Sequence, residues 1–284
     1  MRILVAGGTG TAGQHIVRML EARGGHRIEV LNRESGDATD PAVADRCCQG
    51  QDAVVSALGQ SVYLDRARPS PFSDIDVAAH RNLITACQRH GTRRFVYISV
   101  LYAARHPDDP YLAAHSAVEA MLRQSGIPYG IVRPTGFFKS YLPFLDLAFK
   151  GTGIVLGSGA AKSNPVHEAD VAEACVKALF EERNVEIDAG GPAIHTRRQI
   201  AELAFEAIGK KPLIFHAPLG LVRMGARLAR LFDSRKSELF RFACTVSEHD
   251  FVGPAIGTRS LLDYFREAAK GRVDRRYSIA SRYK

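Results

Sequence analysis

The 284 residues are 46% hydrophobic and 24% charged, a globular composition that excludes a disordered or collagen-like chain. The formal net charge of +8 is compatible with nucleic acid, anionic lipid or a phosphorylated ligand, and charge alone does not choose among them. Because no apolar run approaches the ~20 residues that cross a bilayer and no signal-peptide pattern opens the chain, we expect a cytoplasmic protein without an integral membrane segment.

Apolar runs alternate with helical patterns along the first half of the chain. The pattern predicts strands at residues 2–6, 27–32, 52–58, 94–100 and 129–133, with helices at 12–24, 41–49, 74–90 and 111–124. Such alternation is typical of a parallel sheet that is covered by helices on both faces. We therefore predict an α/β fold built on a doubly wound parallel sheet.

The second half is less regular. Short strands at 154–156 and 185–188 and helices at 168–181 and 196–208 are predicted to form a small cap beside the sheet. A strand at 212–216 and helices near 219–232, 237–246 and 259–270 follow. We expect a single domain over residues 1–284, in which residues from about 137 to 284 contribute a C-terminal α/β cap that is interleaved with the core.

One connection in the first half is unusually short. Only residues 33–39 separate the second predicted strand from the next helix. A crossover helix and the strand that follows it need at least ~10–12 residues. The third strand of the usual sheet, and its crossover, are therefore expected to be shortened or missing.

The five cysteines suggest no structural cross-links. They are Cys47, Cys48, Cys87, Cys175 and Cys244. Their number is odd and no CxxC spacing occurs, so we predict neither a disulfide framework nor a metal site. Free thiols suit a reducing compartment.

Basic residues are concentrated at two places near the C-terminus. Residues 270–284 contain six basic side chains and one acidic one, and we expect a solvated tail that binds no nucleic acid. In the helix predicted near 219–232, Arg223, Arg227 and Arg230 recur at helical spacing. That spacing fits a solvated face, the interpretation we favour, or a surface for lipid or a protein partner.

A glycine-rich segment joins the first predicted strand to the first helix. In the sequence VAGGTGTAG, residues 5–13, glycines stand at 7, 10 and 13. The first allows a tight turn, the second lets a pyrophosphate approach the backbone, and the third packs the helix on the strand. The helix N-terminus supplies N–H donors and a positive dipole end. This context predicts a dinucleotide-binding site.

The end of the second predicted strand indicates which dinucleotide is bound. A carboxylate at this position favours the 2′-hydroxyl of NAD, whereas an arginine favours the 2′-phosphate of NADP. Asn32 and Arg33 stand there, and Arg33 can form charge-assisted, forked hydrogen bonds to a phosphate. We predict NADP(H) as the cofactor, with NAD(H) as the less favoured alternative.

Seven segments together resemble one superfamily. They are GGTGTAG (7–13), GDATD (36–40), DAVVSALG (52–59), RRFVYISV (93–100), SGIPYGIVRPTGFF (125–138), NPVHEADVAEA (164–174) and AGGP (189–192). The chain is similar to atypical short-chain dehydrogenases/reductases of the NmrA-like and divinyl-reductase-like kind. This resemblance implies a Rossmann-type fold that binds NAD(P).

The resemblance also implies a set of residues around the cofactor. Asp37 and Ala38 would border the adenine, Ser99 would lie near the nicotinamide ribose, and Phe137 would fit against the nicotinamide. The complete expected set is Gly7, Thr9, Gly10, Thr11, Ala12, Gly13, Arg33, Asp37, Ala38, Ala57, Leu58, Gly59, Ser99, His115, Pro134, Thr135, Gly136 and Phe137.

The expected catalytic position departs from the superfamily's pattern. The Tyr-x-x-x-Lys motif aligns with Tyr111 to His115, so a histidine stands where the superfamily has lysine. Four-residue spacing places both side chains on one helix face. A lysine, with an ordinary pKa of ~10.4, is charged at neutral pH and helps to lower the pKa of tyrosine, whereas a histidine, at ~6.5, is mostly neutral. Tyr111 and His115 are the candidate catalytic residues, with packing roles as the alternative.

These observations favour an NADPH-dependent oxidoreductase that reduces a small apolar carbonyl, enone or quinone-like molecule. Phe137, Phe138 and Tyr141 are expected to enclose that substrate, with no metal involved. The alternative is a non-catalytic NAD(P)-binding redox sensor or assembly factor, which the missing lysine supports. Epimerase or dehydratase chemistry is disfavoured, because those relatives generally keep the Tyr and Lys pair. The sequence does not indicate an oligomeric state.

Overall fold

A computed structural model describes residues 1–59 and 71–280. The strands are β1 Arg2–Ala6, β2 Arg27–Leu31, β3 Ala53–Ser56, β4 Arg94–Ile98, β5 Tyr129–Pro134, β6 Gly153–Leu156, β7 Lys162–Ser163, β8 Val185–Ala189, β9 His195–Thr196 and β10 Ile214–Ala217. The α-helices are α1 Gly13–Arg23, α2 Pro41–Cys48, α3 Ala78–His90, α4 Pro110–Gln124, α5 Leu142–Phe149, α6 Glu168–Leu179, α7 Arg197–Glu206, α8 Leu219–Ala229, α9 Ser234–Glu248 and α10 Leu261–Ala280.

The predicted parallel sheet is confirmed. Its order is β2-β1-β3-β4-β5-β8, and every neighbouring pair is parallel. Val5 of β1 lies level with Val30 of β2 and Val55 of β3, so the strands end together at one edge. Apolar side chains of β1, β3 and β4 are buried on both faces, which requires helices on both sides. One face is covered by α2, α3 and α4, and the other by α1 and α6.

The shortened connection after β2 has the expected consequence. The chain passes from β2 through α2 to β3, which lies on the other side of β1. Within residues 1–59 and 71–280, no strand pairs with the outer edge of β2. The predicted loss of the usual third strand is confirmed for this part of the chain.

Local signals place α2 and α4. Asp40 and Asp109 each precede a proline, and each carboxylate accepts a backbone N–H from the first helical turn. Proline at the first helical position needs no hydrogen-bond donor, and an aspartate cap typically contributes about 1 kcal/mol. The start of α4 thus fixes the orientation of the helix that carries Tyr111 and His115.

The expectation that the strand near 185–188 belongs to the cap is wrong. This strand, β8, pairs with β5 as the sixth strand of the central sheet, and α6 packs on the same sheet. Their side chains interdigitate with those of β1 and β5 in one apolar cluster. The chain therefore leaves the sheet after β5, passes through β6 and β7 of the cap, and returns through α6 and β8 to complete the core.

The cap is built from the remaining elements. β6 pairs with β10 in a parallel ribbon, and β7 pairs with β9 in an antiparallel one. Helices α5, α7 and α10 share an apolar cluster around Leu145, Phe205 and Phe265. The other two helices, α8 and α9, pack together, and α9 also contacts α4. The division of the chain into domains stays a prediction.

Helix α10 continues to Ala280, well past the expected end near residue 270. Most of the basic segment predicted to be a solvated tail therefore has a helical backbone, and its last residues, 281–284, lie outside the described residues. No helix in the described ranges is both long enough and apolar enough to span a membrane.

Candidate functional site

The glycine-rich loop lies where the strand order reverses, at the carboxyl ends of β1 and its two neighbours. Gly7 adopts a left-handed φ of 79°, and its N–H donates to the carbonyl of Leu31 at 2.7 Å. A Cβ on Gly7 would lie 2.8 Å from the carbonyl oxygen of Ala57, so no larger residue fits between the adjacent strand ends. Clefts of this kind, at a topological switch point, are where α/β sheets bind nucleotides.

Two more glycines give the loop its shape. The N–H of Gly10 donates to the carbonyl of Gly7 at 2.9 Å and closes the turn. At Gly13, the first residue of α1, a Cβ would lie only 2.1 Å from the Gly7 carbonyl oxygen. The residue before it, Ala12, offers no side chain to cap the helix, and the N–H groups of Gln14 and His15 donate to the carbonyls of Gly10 and Ala12. The positive end of the α1 dipole therefore meets the loop without a side-chain acceptor at the cap position. These features fit a pyrophosphate.

Two adjoining cavities extend from this loop, one of about 590 Å³ and the other of about 520 Å³. The larger, which we call the adenosine cavity, lies along the ends of β1 and β2. The smaller, which we call the acceptor cavity, lies over the ends of β4 and β5 and under the cap. Gly10, Arg33, Ala57, Leu58 and Gly59 line both. An elongated ligand therefore fits with one end in each cavity and its middle beside the five residues that line both.

Arg33 lies at the junction of the two cavities. The Oδ1 atom of Asn32 accepts the N–H groups of Glu34 and Ser35, both at 2.9 Å, which fixes the turn that follows β2. Arg33 is exposed on this turn and lines both cavities. Its guanidinium is therefore accessible to an anionic ligand.

The residues expected around the cofactor fall into three groups. Those lining the adenosine cavity are Gly7, Thr9, Gly10, Arg33, Asp37, Ala38, Ala57, Leu58 and Gly59. Those lining the acceptor cavity are Gly10, Thr11, Ala12, Arg33, Ala57, Leu58, Gly59, Ser99, His115, Pro134, Thr135, Gly136 and Phe137. Gly13 lines neither cavity and acts by letting α1 approach the loop. Their contacts with a cofactor stay a prediction.

Tyr111 lines the acceptor cavity with its ring held between aromatic neighbours. The ring centroids of Phe72 and Phe242 lie 4.8 Å and 4.5 Å from its own. Burial, with the negative charges of Asp76 and Asp109, raises the pKa of Tyr111 well above its ordinary value. This shift is opposite to the one that the superfamily's lysine produces, so Tyr111 is a weak proton donor here.

His115 lines the same cavity one helical turn further along α4, and its ring lies 4.7 Å from that of Tyr111. Its Nδ1 atom makes a 2.6 Å hydrogen bond with the hydroxyl of the buried Tyr97. Burial, reinforced by His80, lowers the pKa of His115 to about 3, so the ring is neutral at physiological pH. Within the described residues, its buried Nε2 atom has no hydrogen-bond partner. That atom fits a hydroxyl group of a bound ligand.

Ser99 directly follows β4, and its hydroxyl points toward helix α4. Its Oγ donates to the buried carboxylate of Glu119 at 2.6 Å. The same carboxylate accepts two hydrogen bonds from Arg133, each 2.8 Å, and one from Arg123. Because the Ser99 hydroxyl already has this acceptor, the arrangement favours a role in fixing the strand ends over direct proton transfer.

A buried cation stands on the cap side of the acceptor cavity. Arg197, the first residue of α7, is 7% exposed, and its Nη1 donates to the hydroxyl oxygen of Tyr141 at 2.8 Å. Its Nε atom donates to the Val246 carbonyl, which fixes the guanidinium. A Cβ on Gly136 would lie 3.0 Å from the Tyr141 hydroxyl, so the glycine permits this hydroxyl to approach the end of β5.

The three residues expected to enclose a substrate separate in the structure. Phe137 and Tyr141 line the acceptor cavity. Phe138 is instead 1% exposed in the cap core, with its ring 5.5 Å from those of His167 and Tyr264, and it does not line this cavity. Consecutive residues at a strand exit point to opposite sides, which explains why one phenylalanine faces the cleft and the next faces the cap.

Sequence reasoning missed the cap residues that complete the site. Lys139 lines the acceptor cavity and donates from Nζ to the Thr11 hydroxyl at 3.2 Å. The remaining wall includes Phe144, Ile154, Leu239, Phe242, Val246 and Phe251. They come from α5, β6, α9 and the segment after α9, in the irregular half of the chain, and no local motif marks them. Lys139, which directly follows the TGFF segment, is the one residue that a search for cations near the motifs could have found.

The comparisons with known proteins agree with this geometry. A family model described as NAD(P)H-binding matches residues 7–182. Divinyl chlorophyllide a 8-vinyl-reductase of Cucumis sativus is 28% identical over 255 residues, a match that covers 78% of this chain and 60% of that protein. The photosystem II assembly factor Ycf39 of Synechocystis sp. is 27% identical over 257 residues, covering 82% of this chain and 76% of that protein.

Solved structures share the fold. The triphenylmethane reductase of Citrobacter sp., solved with NADP(H), gives a TM-score of 0.74 at 18% identity and covers 95% of this chain and 100% of its own. The NADPH-dependent quinone oxidoreductase QOR2 of Escherichia coli, solved with NADPH, gives 0.73 at 20% identity and covers 94% and 99%. Together with the sequence matches, they confirm the resemblance to atypical short-chain dehydrogenases/reductases.

Proposed function

Because the chain belongs to the NAD(P)H-binding family, we propose that it is an NADPH-dependent oxidoreductase that reduces a small apolar molecule of the carbonyl, enone or quinone class. The single observation that carries this proposal is the acceptor cavity. Its walls are largely aromatic and aliphatic, and it adjoins the cleft that fits a dinucleotide. Pockets with a few polar groups in apolar walls are typical of small-molecule sites.

The cofactor, when bound, supplies a hydride. The chain's own residues would hold it: the glycine loop at the N-terminus of α1 would bind the pyrophosphate, and Arg33 would donate hydrogen bonds to the 2′-phosphate that distinguishes NADPH from NADH. His115 supports this arrangement because it lines the cavity and its buried Nε2 atom has no hydrogen-bond partner among the described residues. We assign it to a hydroxyl of the cofactor's ribose.

Reduction of these acceptors places negative charge on an oxygen atom before a proton arrives. Tyr141 can donate its O–H to that oxygen while Arg197 donates to the Tyr141 oxygen, so the guanidinium is placed to stabilise negative charge that develops on the reacting oxygen. The proton comes from Tyr141 and is replaced from solvent. This pair supplies the cation that is absent at His115, and the raised pKa of Tyr111 makes that residue the weaker candidate donor.

A panel assay tests the proposal. Purified protein is mixed with NADPH and a series of quinones, enones and apolar ketones, and the absorbance of the reduced nicotinamide is followed. We expect oxidation with at least one quinone or enone and little with polar sugars. Tight NADPH binding without turnover on any acceptor would contradict the proposal.

A non-catalytic NAD(P)-binding regulator or assembly factor is the second candidate. The specific observation that favours it is the pair at the superfamily's catalytic position, where His115 is neutral and burial raises the pKa of Tyr111. The match to an assembly factor is consistent with such a role. Stoichiometric NADPH binding that changes the affinity for a partner protein, with no turnover, would favour this candidate.

A further inference from the structure

An apolar stripe lies on the solvent side of α8 and the turn after it. We call it the α8 stripe and define it by Leu221, Met224, Leu228, Leu231 and Phe232. These side chains are 60%, 54%, 57%, 74% and 89% exposed, respectively. Single exposed apolar residues are common on protein surfaces, but a continuous group of large ones marks an interaction site.

The stripe is not the packing face of the helix. Leu221, Met224 and Leu228 recur at spacings of three and four residues, so they share one side of α8. Ala226, the buried residue of α8, lies on a different side of the helix, and α8 packs on the neighbouring helix α9. The sequence of α8 thus provides a small residue for packing and larger apolar residues for the outside.

The charges beside the stripe are positive. Residues 219–232 contain three arginines and no acidic residue. Arg223 forms a 2.6 Å ion pair with Glu248 of α9, whereas Arg227 and Arg230 are exposed. Their long aliphatic stems can lie along an apolar surface while the guanidinium groups reach anionic groups at its edge.

These features decide among possible occupants. In a two-fold contact with a second copy, the stripe would meet itself and bring Arg227 and Arg230 near the same residues of the other copy, which like charge disfavours. Leu231 and Phe232, the most exposed of the five, protrude from the turn after α8. A protein partner would need a groove shaped to receive both side chains, whereas a lipid bilayer needs no such shape. Protruding leucine and phenylalanine beside arginine is the composition of helices that lie in the interface of anionic bilayers.

We propose that the α8 stripe docks this protein on the surface of an anionic lipid bilayer. Leu231 and Phe232 insert between the lipids, the helix lies along the interface, and Arg227 and Arg230 contact lipid phosphates. The attachment is peripheral and does not require a membrane-spanning segment.

The helix that carries the stripe packs on an element of the acceptor cavity's wall. Helix α9, which packs on α8, contributes Leu239, Phe242 and Val246 to the cavity wall. Ile154 of β6 lines the cavity and is 45% exposed, and its neighbour in register on β10 is the exposed Phe215. Apolar surface is therefore present from the rim of the cavity to the ribbon that leads into α8.

Vesicle flotation tests the proposal without any cofactor or substrate, so its result is independent of the proposed oxidoreductase activity. The 284-residue chain is mixed with vesicles of phosphatidylcholine alone or with added phosphatidylglycerol. We expect binding to the anionic vesicles, weakened by salt, and little binding to the neutral ones. The double variant Leu231→Ser, Phe232→Ser should bind at least tenfold more weakly, because it removes the inserted apolar area.

Two further variants serve as controls. Ile194→Ser changes an apolar side chain of similar exposure, 56%, outside the stripe, and it should leave vesicle binding unchanged. Arg227→Gln with Arg230→Gln should reduce the preference for anionic vesicles. Equal binding to both vesicle types, no binding to either, or loss of binding in Ile194→Ser would overturn the proposal. A dimer that dissociates in Leu231→Ser, Phe232→Ser, without vesicle binding, would instead assign the stripe to a second copy.

Discussion

Arg197 Nη1 donates a 2.8 Å hydrogen bond to the hydroxyl of Tyr141 in the wall of the acceptor cavity. The two residues are 56 positions apart, one at the exit from the sheet and the other at the start of a cap helix. The guanidinium donates to the hydroxyl oxygen, so the O–H hydrogen of Tyr141 remains for another acceptor, either Ser163 Oγ at 3.3 Å or a bound ligand. The acceptor cavity therefore contains a cation-supported hydroxyl even though the superfamily's lysine is absent.

This pair leads to the first prediction. Tyr141→Phe should lower kcat by about 100-fold with the best acceptor, the usual cost of losing a hydrogen bond to a developing oxyanion, and should leave NADPH affinity unchanged. Tyr111→Phe is the matched control and should change kcat little. Steady-state kinetics and fluorescence titration of NADPH separate the two effects. The opposite ranking of the two variants would assign the donor role to Tyr111.

The second prediction concerns cofactor choice. Arg33→Ala should lose most of the preference for NADPH over NADH, since a hydrogen bond to a charged group contributes ~1.5–3 kcal/mol, about one to two powers of ten in affinity. Arg27→Ala changes an exposed arginine at the other end of β2 and should have no such effect. Titration of both nucleotides against the three proteins measures the preference. Equal affinities in the unmodified protein would refute the phosphate role of Arg33.

The third prediction concerns the loop. Gly13→Ala would place a methyl group 2.1 Å from the Gly7 carbonyl oxygen. The strain should lower the free energy of unfolding by an amount at the upper end of ~1–3 kcal/mol and weaken NADPH binding. Gly225→Ala, in α8 where a Cβ meets nothing, should raise stability by up to about 1 kcal/mol. Urea denaturation measures the free energy of unfolding of both variants. An unchanged value in Gly13→Ala would show that the loop relaxes to accommodate the methyl group.

The fourth prediction concerns His115. His115→Lys restores the superfamily's residue at a buried position, 5% exposed, beside Tyr97 and His80. Burying an unpaired ammonium should lower the free energy of unfolding by about 3 kcal/mol or more. His115→Gln, which can still hydrogen-bond to Tyr97, should cost less. Denaturation and acceptor assays are measured together. A stable His115→Lys variant with raised turnover would contradict this prediction and would mean that Tyr111 and a lysine at position 115 can act as the superfamily's catalytic pair.

The fifth prediction concerns acid stability. Hydrogen bonds from Arg123 and then Arg133 lower the pKa of Glu186 from 4.5 to about 2. A depressed pKa in the folded state stabilises the fold above the ordinary pKa, and this contribution is lost as the pH falls toward 2. Glu186→Gln should therefore flatten the loss of stability in this acid range, measured by urea midpoints at several pH values. Glu21→Gln, on the exposed face of α1, should keep the original pH dependence.

Much of the fold was readable from contiguous residues. The alternation of apolar runs and helical patterns predicted the parallel sheet, and the short connection before Asp40 predicted the missing third strand. The glycine spacing predicted the loop at the switch point. These signals are local, because strand and helix periodicity, backbone clashes at glycine and the reach of a short chain segment depend only on neighbouring residues.

The tertiary structure alone decided the rest. It placed β8 in the central sheet, turned Phe138 into the cap core and brought Arg197 to Tyr141. It also showed that the outer side of α8 carries apolar side chains as well as arginines. Which side chains converge on a cavity, and which remain exposed, depends on how distant elements pack against one another, and no local pattern encodes that packing.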